Sequence, residues 1–159
     1  MTPTHAGALQ VIRESLASFR ASVDDLPQEA LDWKPLPSAN SATVLVVHAV
    51  TSLRFFLNVA CGKPASLDDY VANERAAAFQ SASIAKDELL AMLDAAGGEA
   101  EAILATGTDE HLSNVIEMPS KSGLRIPARS AAGSLFAAIG HLREHLGHVQ
   151  LMHDLWLAK

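Results

Sequence analysis

His141-Leu142-Arg143-Glu144-His145-Leu146-Gly147-His148-Val149-Gln150 places three histidines within eight residues, near the end of a 159-residue chain. At about 100° per residue, positions i+4 and i+7 fall within roughly 40° of position i, so His141, His145 and His148 share one helical face. Gly140, Arg143, Gly147, Gln150 and Asp154 trace a polar stripe on the other side. Met152 and Leu155 extend the histidine row, and Leu135, Ile139, Leu142, Leu146 and Val149 run beside it. The pattern predicts a helix whose histidine row faces inward. Imidazoles in an apolar stripe need partners, because an unpaired buried nitrogen costs about 1–3 kcal/mol. A shared metal ion would satisfy several at once.

Composition narrows the classes. The chain is long enough to bury roughly two-thirds of its unfolded surface as a single domain spanning residues 1–159, so stability alone does not demand a metal. A net charge of −6 and the absence of any lysine and arginine run exclude a phosphate-tracking surface, hence no nucleic-acid partner is expected. The single cysteine, Cys61, fits a reducing compartment, and the polar, proline-containing start resembles no signal peptide, so the expected location is cytoplasmic. Mean hydropathy is +0.16, and the window from Ala42 to Cys61 approaches a membrane span in composition. His48, Arg54 and Asn58 interrupt it, each costly in hydrocarbon, which points to a helix buried on most sides and to no membrane. In so small a chain, such a helix also hints at a homodimer.

Leu9, Ile12, Leu16, Phe19 and Val23 keep 3-4-3-4 spacing and predict a first helix from about Thr4 to Asp25. Pro27, Pro35 and Pro37 break the pattern, with Trp33 among them as an anchor for the connection. Asn40 or Ser41 caps a second helix running to about Ala60, before Gly62 and Pro64. A long link follows, with a short helical turn predicted around Val71 to Phe79. The third helix is expected to begin near Ser83 and to carry Leu89, Met92, Leu93, Ala96, Ala100, Ile103 and Leu104 inward, with a kink expected at Gly97-Gly98. Val115 to Met118 and Leu124 to Ile126 flank a Pro-Ser-Lys-Ser-Gly turn and read as a small hairpin. Ser130 then caps a fourth helix reaching about Leu157. The fold class is therefore all-α: a four-helix bundle with a long crossover between its second and third helices and a hairpin-like insert before the fourth.

His141 and His145 have the i,i+4 spacing with which one helix grips one ion. Leu142 follows the first of them, where a zinc protease would have glutamate, and no histidine here has an acidic residue three positions earlier, which excludes a ferritin-like di-iron site. A third ligand must come from another helix, and His48 is the only histidine inside one. Alone, His48 would read as a core histidine bonded to a carbonyl. With the cluster on the fourth helix it reads as a ligand, and three histidines with an open position suit zinc, nickel or iron.

Trp33-Lys34-Pro35, His48 in the second helix, and the ending that runs from His141-x-x-x-His145-Leu-Gly-His148-x-Gln150 to Asp154-Leu-Trp156 resemble the DinB-like metal-binding four-helix bundles over essentially the whole chain. The resemblance implies one divalent metal, zinc or nickel first and iron as a third option, held by His48, His141 and His145, in a protein that is commonly dimeric. His148 stands where the family often has glutamine, and it is a candidate fourth ligand, general base or hydrogen-bonding partner of a ligand. Characterised members transfer groups to or from low-molecular-weight thiols, and others are suspected hydrolases. The resemblance thus implies a small-molecule substrate, with a thiol S-transferase as the leading reading. A metal-dependent hydrolase and a non-catalytic dimeric binding or stress-response protein are the alternatives. Cys61, at a helix end with no histidine or basic pair beside it in sequence, reads as an inert thiol. Glu74, Arg75 and Arg54 are candidates for the pocket mouth, His153 is expected at the surface, and nothing is assigned to His5 or His111.

Overall fold

The computed structural model describes residues 1–118 and 128–159. Helix α1 (Pro3–Asp24) opens on Thr2, whose hydroxyl accepts from the His5 amide, and proline occupies the first turn, where its missing N–H costs nothing. The predicted apolar row, Leu9, Ile12, Leu16, Phe19 and Val23, is its buried face. A single 3-10 turn (Gln28–Ala30) follows. Trp33 then meets Trp156 edge-on, with ring centroids 5.5 Å apart, so the anchoring role predicted for it holds.

Helix α2 (Ala42–Ala60) is capped by Ser41 and ends at Gly62, whose φ of 71° is the left-handed region that favours glycine. It is long and apolar enough to cross a membrane, but 78% of that apolar window is buried inside the fold. The crossover forms helix α3, residues 67–79, beginning earlier than predicted because Ser66 caps it. Its middle, Tyr70–Arg75, is π-helical.

Helix α4 (Lys86–Leu104) starts close to Ser83, as expected, with Ala85 at the N-cap position. Ser83 itself lies just outside the helix. That residue has φ 58° and donates its amide to Asp32, while the Lys86 amide is satisfied by the Gln28 side chain. A tertiary partner replaces the local cap. The helix is uninterrupted across Gly97-Gly98, and α1 packs along it.

A one-turn helix α5 (Asp109–Leu112) was not predicted; Thr108 caps it and Leu112 is buried. Strands β1 (Val115–Ile116) and β2 (Arg129–Ser130) pair antiparallel, Val115 opposite Ser130. The second predicted strand, Leu124 to Ile126, lies outside the described residues. Helix α6 (Ala131–Leu157) starts on the predicted Ser130 cap.

The long helices close a ring in which α1 packs on α4 and α6, and α2 packs on the same two. Consecutive α1 and α2 therefore sit diagonally, and the link between them crosses one end of the bundle. Ile12, Phe19, Leu57, Leu89, Leu93, Leu135 and Leu142 fill the centre, while Phe55, Val59, Leu67 and Tyr70 make a smaller cluster beneath α3. The apolar composition of α2 is thus accounted for within its own chain.

Gly107 marks a close approach at the far end of α2. A methyl group there would overlap the imidazole of fully buried His5 and stand 3.0 Å from Cys61 Sγ. His5 cannot swing away, since its Nδ1 is held 2.7 Å from Thr2 Oγ1. Gly107→Ala is expected to cost about 1–3 kcal/mol, lowering the melting temperature by several degrees. Gly98→Ala, with nothing within 4 Å of the new methyl, should instead raise it slightly in the same melt.

Candidate metal centre

His48 lies in the second turn of α2, and His141 and His145 lie one turn apart on the facing helix α6. Packing of these two helices brings the three imidazoles tip to tip. His141 Nε2 is 3.1 Å from His48 Nε2 and 3.1 Å from His145 Nε2, and the three candidate ligand atoms all fall within 4.8 Å of one another. Nitrogens bonded to one ion at about 2.0–2.1 Å would be separated by roughly 2.9–3.4 Å in octahedral or tetrahedral geometry. The two spacings from His141 lie in that range. At 3.1 Å a neutral ring pair can share one N–H···N hydrogen bond, and an ion bound by all three would instead take the lone pair of each Nε2.

Burial keeps these rings neutral. His145, 8% exposed, has its pKa lowered to about 3 by desolvation first, then by His141, His48 and His148. His48, 5% exposed, is lowered to about 4 by desolvation, then by His141 and Arg75. His141 is also lowered by desolvation, against the opposing pull of Glu144. Neutral imidazole is the form that binds metals. Behind His48, Ser52 Oγ is 3.4 Å from Nδ1 and shares a 2.6 Å hydrogen bond with Tyr70, an arrangement that orients the ring and leaves Nε2 facing the trio. His145 Nδ1 is buried with no hydrogen-bond partner, so packing alone fixes that ring.

The predicted inward row is only partly inward. On α6 the buried arc centres on Ala138, Leu142, His145 and Val149, and His141 and His148 fall at one edge of it. His141 is 29% exposed at its side chain, while His148 and Leu155 are exposed. His148 stays outside the trio, with its ring 5.7 Å from that of His145, and it borders a cleft of about 280 Å³ lined by Leu45, Leu151, Met152 and Leu155. The side of the trio facing the crossover is walled by Phe79, whose ring is 4.7 Å from that of His48, and by Phe56, 6.1 Å from His141.

Of the three candidates for the mouth, Arg54 is tied to Glu99 of α4 at 2.9 Å and shares with Glu74 a separate cleft beneath Tyr70. Arg75 remains near the trio. Ser52 was legible as the residue one turn beyond His48, whereas Tyr70, Phe56 and Phe79 carried no signal in the sequence. His5 and His111 sit near the far end of α2, about 20 Å along that helix from His48 at 1.5 Å per residue. Cys61 there is half-buried, and burial pushes its thiol pKa up, consistent with an inert thiol.

Fold and site together define a helical bundle with a three-histidine cluster able to hold a metal ion. Residues 12–149 match the DinB superfamily, and the chain belongs to it. A search of curated proteins finds no match. Among solved structures, a DinB-like protein of Bacillus subtilis is similar over 94% of this chain and 92% of its own, at 19% identity and TM-score 0.71. YfiT from Bacillus subtilis, described as a probable metal-dependent hydrolase with an unusual four-helix bundle topology, is similar over 98% of this chain and 90% of its own, at 16% identity and TM-score 0.71. A mycothiol-dependent maleylpyruvate isomerase matches 92% of this chain and 62% of its own, at 13% identity and TM-score 0.62. At such identities the likeness speaks for the fold.

Proposed function

We propose that the chain is a cytoplasmic enzyme acting on a small molecule, in which His48, His141 and His145 hold one divalent ion and leave a coordination position open, and that it acts as a thiol S-transferase. The observation that carries this reading is the convergence of three buried or half-buried imidazoles, with His141 Nε2 3.1 Å from the Nε2 atoms of both His48 and His145 and all three ligand atoms within 4.8 Å of one another. Zinc or nickel suits three imidazoles best, and iron is the third option. A divalent ion in that position supplies Lewis acidity, which lowers the pKa of a bound thiol or water. The chain's own part is to orient His48 through Ser52 and Tyr70, to exclude water with Phe56 and Phe79, and to seat an apolar group in the cleft beside His148.

The solvent-facing position of His148 favours a second reading, a metal-dependent hydrolase in which its ring accepts a proton from water; the printed description of YfiT agrees with it. A homodimer is part of the proposal, and it would draw on the exposed Phe136, Leu151 and Leu157 rather than on α2. The test is metal content by mass spectrometry on protein purified without a histidine tag, followed by assays with electrophiles in the presence and absence of a low-molecular-weight thiol. About one divalent ion per chain and turnover only with the thiol supports the transferase; turnover of esters or amides without thiol moves the hydrolase first. No metal after incubation with zinc, nickel or iron ends both readings and favours a non-catalytic binding protein.

A further inference from the structure

Two arginines border the crossover side of the histidine trio. The guanidinium of Arg75 sits 4.6 Å from the centroid of Phe79, and that ring is itself 4.7 Å from the ring of His48. On the other side, Arg129 lies 5.8 Å from the centroid of Phe56, whose ring is 6.1 Å from His141. Each cation is one aromatic ring away from a histidine of the cluster.

Three of the helix arginines are matched, while Arg143, on the exposed stripe of α6 away from the trio, has no carboxylate within ion-pair distance among the described residues. Arg13 meets Glu101 at 2.7 Å, Arg20 meets Asp94 at 3.0 Å, and Arg54 meets Glu99 at 2.9 Å. Among the described residues no carboxylate lies within ion-pair distance of Arg75 or Arg129. In a chain of net charge −6, with acidic groups outnumbering basic ones, two of the unmatched guanidinium groups each stack on an aromatic ring that borders the same cluster, and that placement calls for an explanation. Local geometry supplies a second sign. Arg75 closes the π-helical segment Tyr70–Arg75, and the wider turn alters the direction in which the residues at its end project; such turns are frequent at functional sites. Arg75 is exposed and so open to a ligand from solvent, while its guanidinium stays over the Phe79 ring beside His48. Stacking on Phe79 holds the planar fork in place, which reduces the entropy lost when it closes on a ligand.

We propose that Arg75, with Arg129 across the mouth, binds the carboxylate of a small anionic substrate whose reacting end lies at the three-histidine centre. This inference rests on the metal-centre reading above and adds the chemical class of its substrate. A guanidinium fork matches a carboxylate with two parallel hydrogen bonds, so the site would select an acid over the corresponding neutral molecule.

The test uses the full chain loaded with cobalt(II), a spectroscopic substitute for the native ion. Two thiols of similar size are titrated, 3-mercaptopropionate and 2-mercaptoethanol, and the sulfur-to-cobalt charge-transfer absorption is read as each thiol loses its proton to buffer and its sulfur bonds the ion. The wild type is expected to prefer the carboxylate thiol by about tenfold or more. Arg75→Gln should bring the ratio close to unity with cobalt stoichiometry unchanged, Arg129→Gln should reduce it less, and Arg75→Lys should keep part of it. Arg143→Gln, on the exposed stripe of α6, should leave it as in the wild type. Equal affinities in the wild type, failure to bind either thiol, or an unchanged ratio in Arg75→Gln overturns the proposal while cobalt uptake leaves the metal centre standing. No uptake of cobalt by the wild type overturns the metal centre and this inference with it.

Discussion

Alanine at His145 is expected to abolish metal binding at the trio, lowering affinity by more than about 100-fold, beyond the 10–100-fold that follows loss of a group behind a ligand. His145 is the most buried of the α6 pair and sits 3.1 Å from His141, so its removal leaves two nitrogens, from different helices, to hold an ion alone. The apo fold should survive, because Ala138, Leu142 and Val149 remain buried on the same helix and keep it packed. His148→Ala, changing an exposed ring outside the cluster, should leave stoichiometry at the wild-type value. Metal content after dialysis against a weak chelator separates the two. Equal metal in both variants would remove His145 from the ligand set, and loss in His148→Ala alone would exchange their roles.

The second large effect is on stability in acid. In metal-free protein, His145 is lowered to about 3 and His48 to about 4, each chiefly by desolvation, while the unfolded chain titrates them near 6.5. Below 6.5 the unfolded state therefore binds protons that the folded state refuses. Stability is fully present above that pH and falls as pH drops toward 3, by about 1.4 kcal/mol per pH unit for each such histidine. Urea midpoints measured from pH 7.5 to 4.5 should decline, and the decline should be shallower in His145→Ala. Other groups, including His5, whose pKa is lowered by the same cause, contribute to both proteins and cancel in the difference. Parallel slopes would mean that the trio already shares a proton when folded.

Much of this was readable from local pattern. The spacing of Leu9, Ile12, Leu16, Phe19 and Val23 set α1 to within a residue of its observed ends, and the caps Ser41 and Ser130 were placed correctly because an N-cap is a contact between near neighbours in sequence. What satisfies the backbone just before and at the start of α4 was not readable, for the complementary reason. The amides of Ser83 and Lys86 are satisfied by Asp32 and Gln28, some fifty residues earlier, and no local rule registers such a partner.

The candidate site divides along the same line. Period and residue type alone determined an all-α chain, the four long helices, and His141 and His145 on one helical face, because those relations are intrahelical and repeat every turn. The sequence also marked His48 as the one histidine in the interior of another predicted helix. Only the tertiary structure decided that α2 faces α6, that His141 Nε2 comes within 3.1 Å of the Nε2 atoms of His48 and His145, and that His148 stands at the rim. It also brought Ser52, Tyr70, Phe56, Phe79 and Arg75 around the trio. Those contacts span helices whose relative rotation is fixed by side-chain packing across the core, and nothing in the spacing along a single helix encodes the angle at which it meets its neighbour.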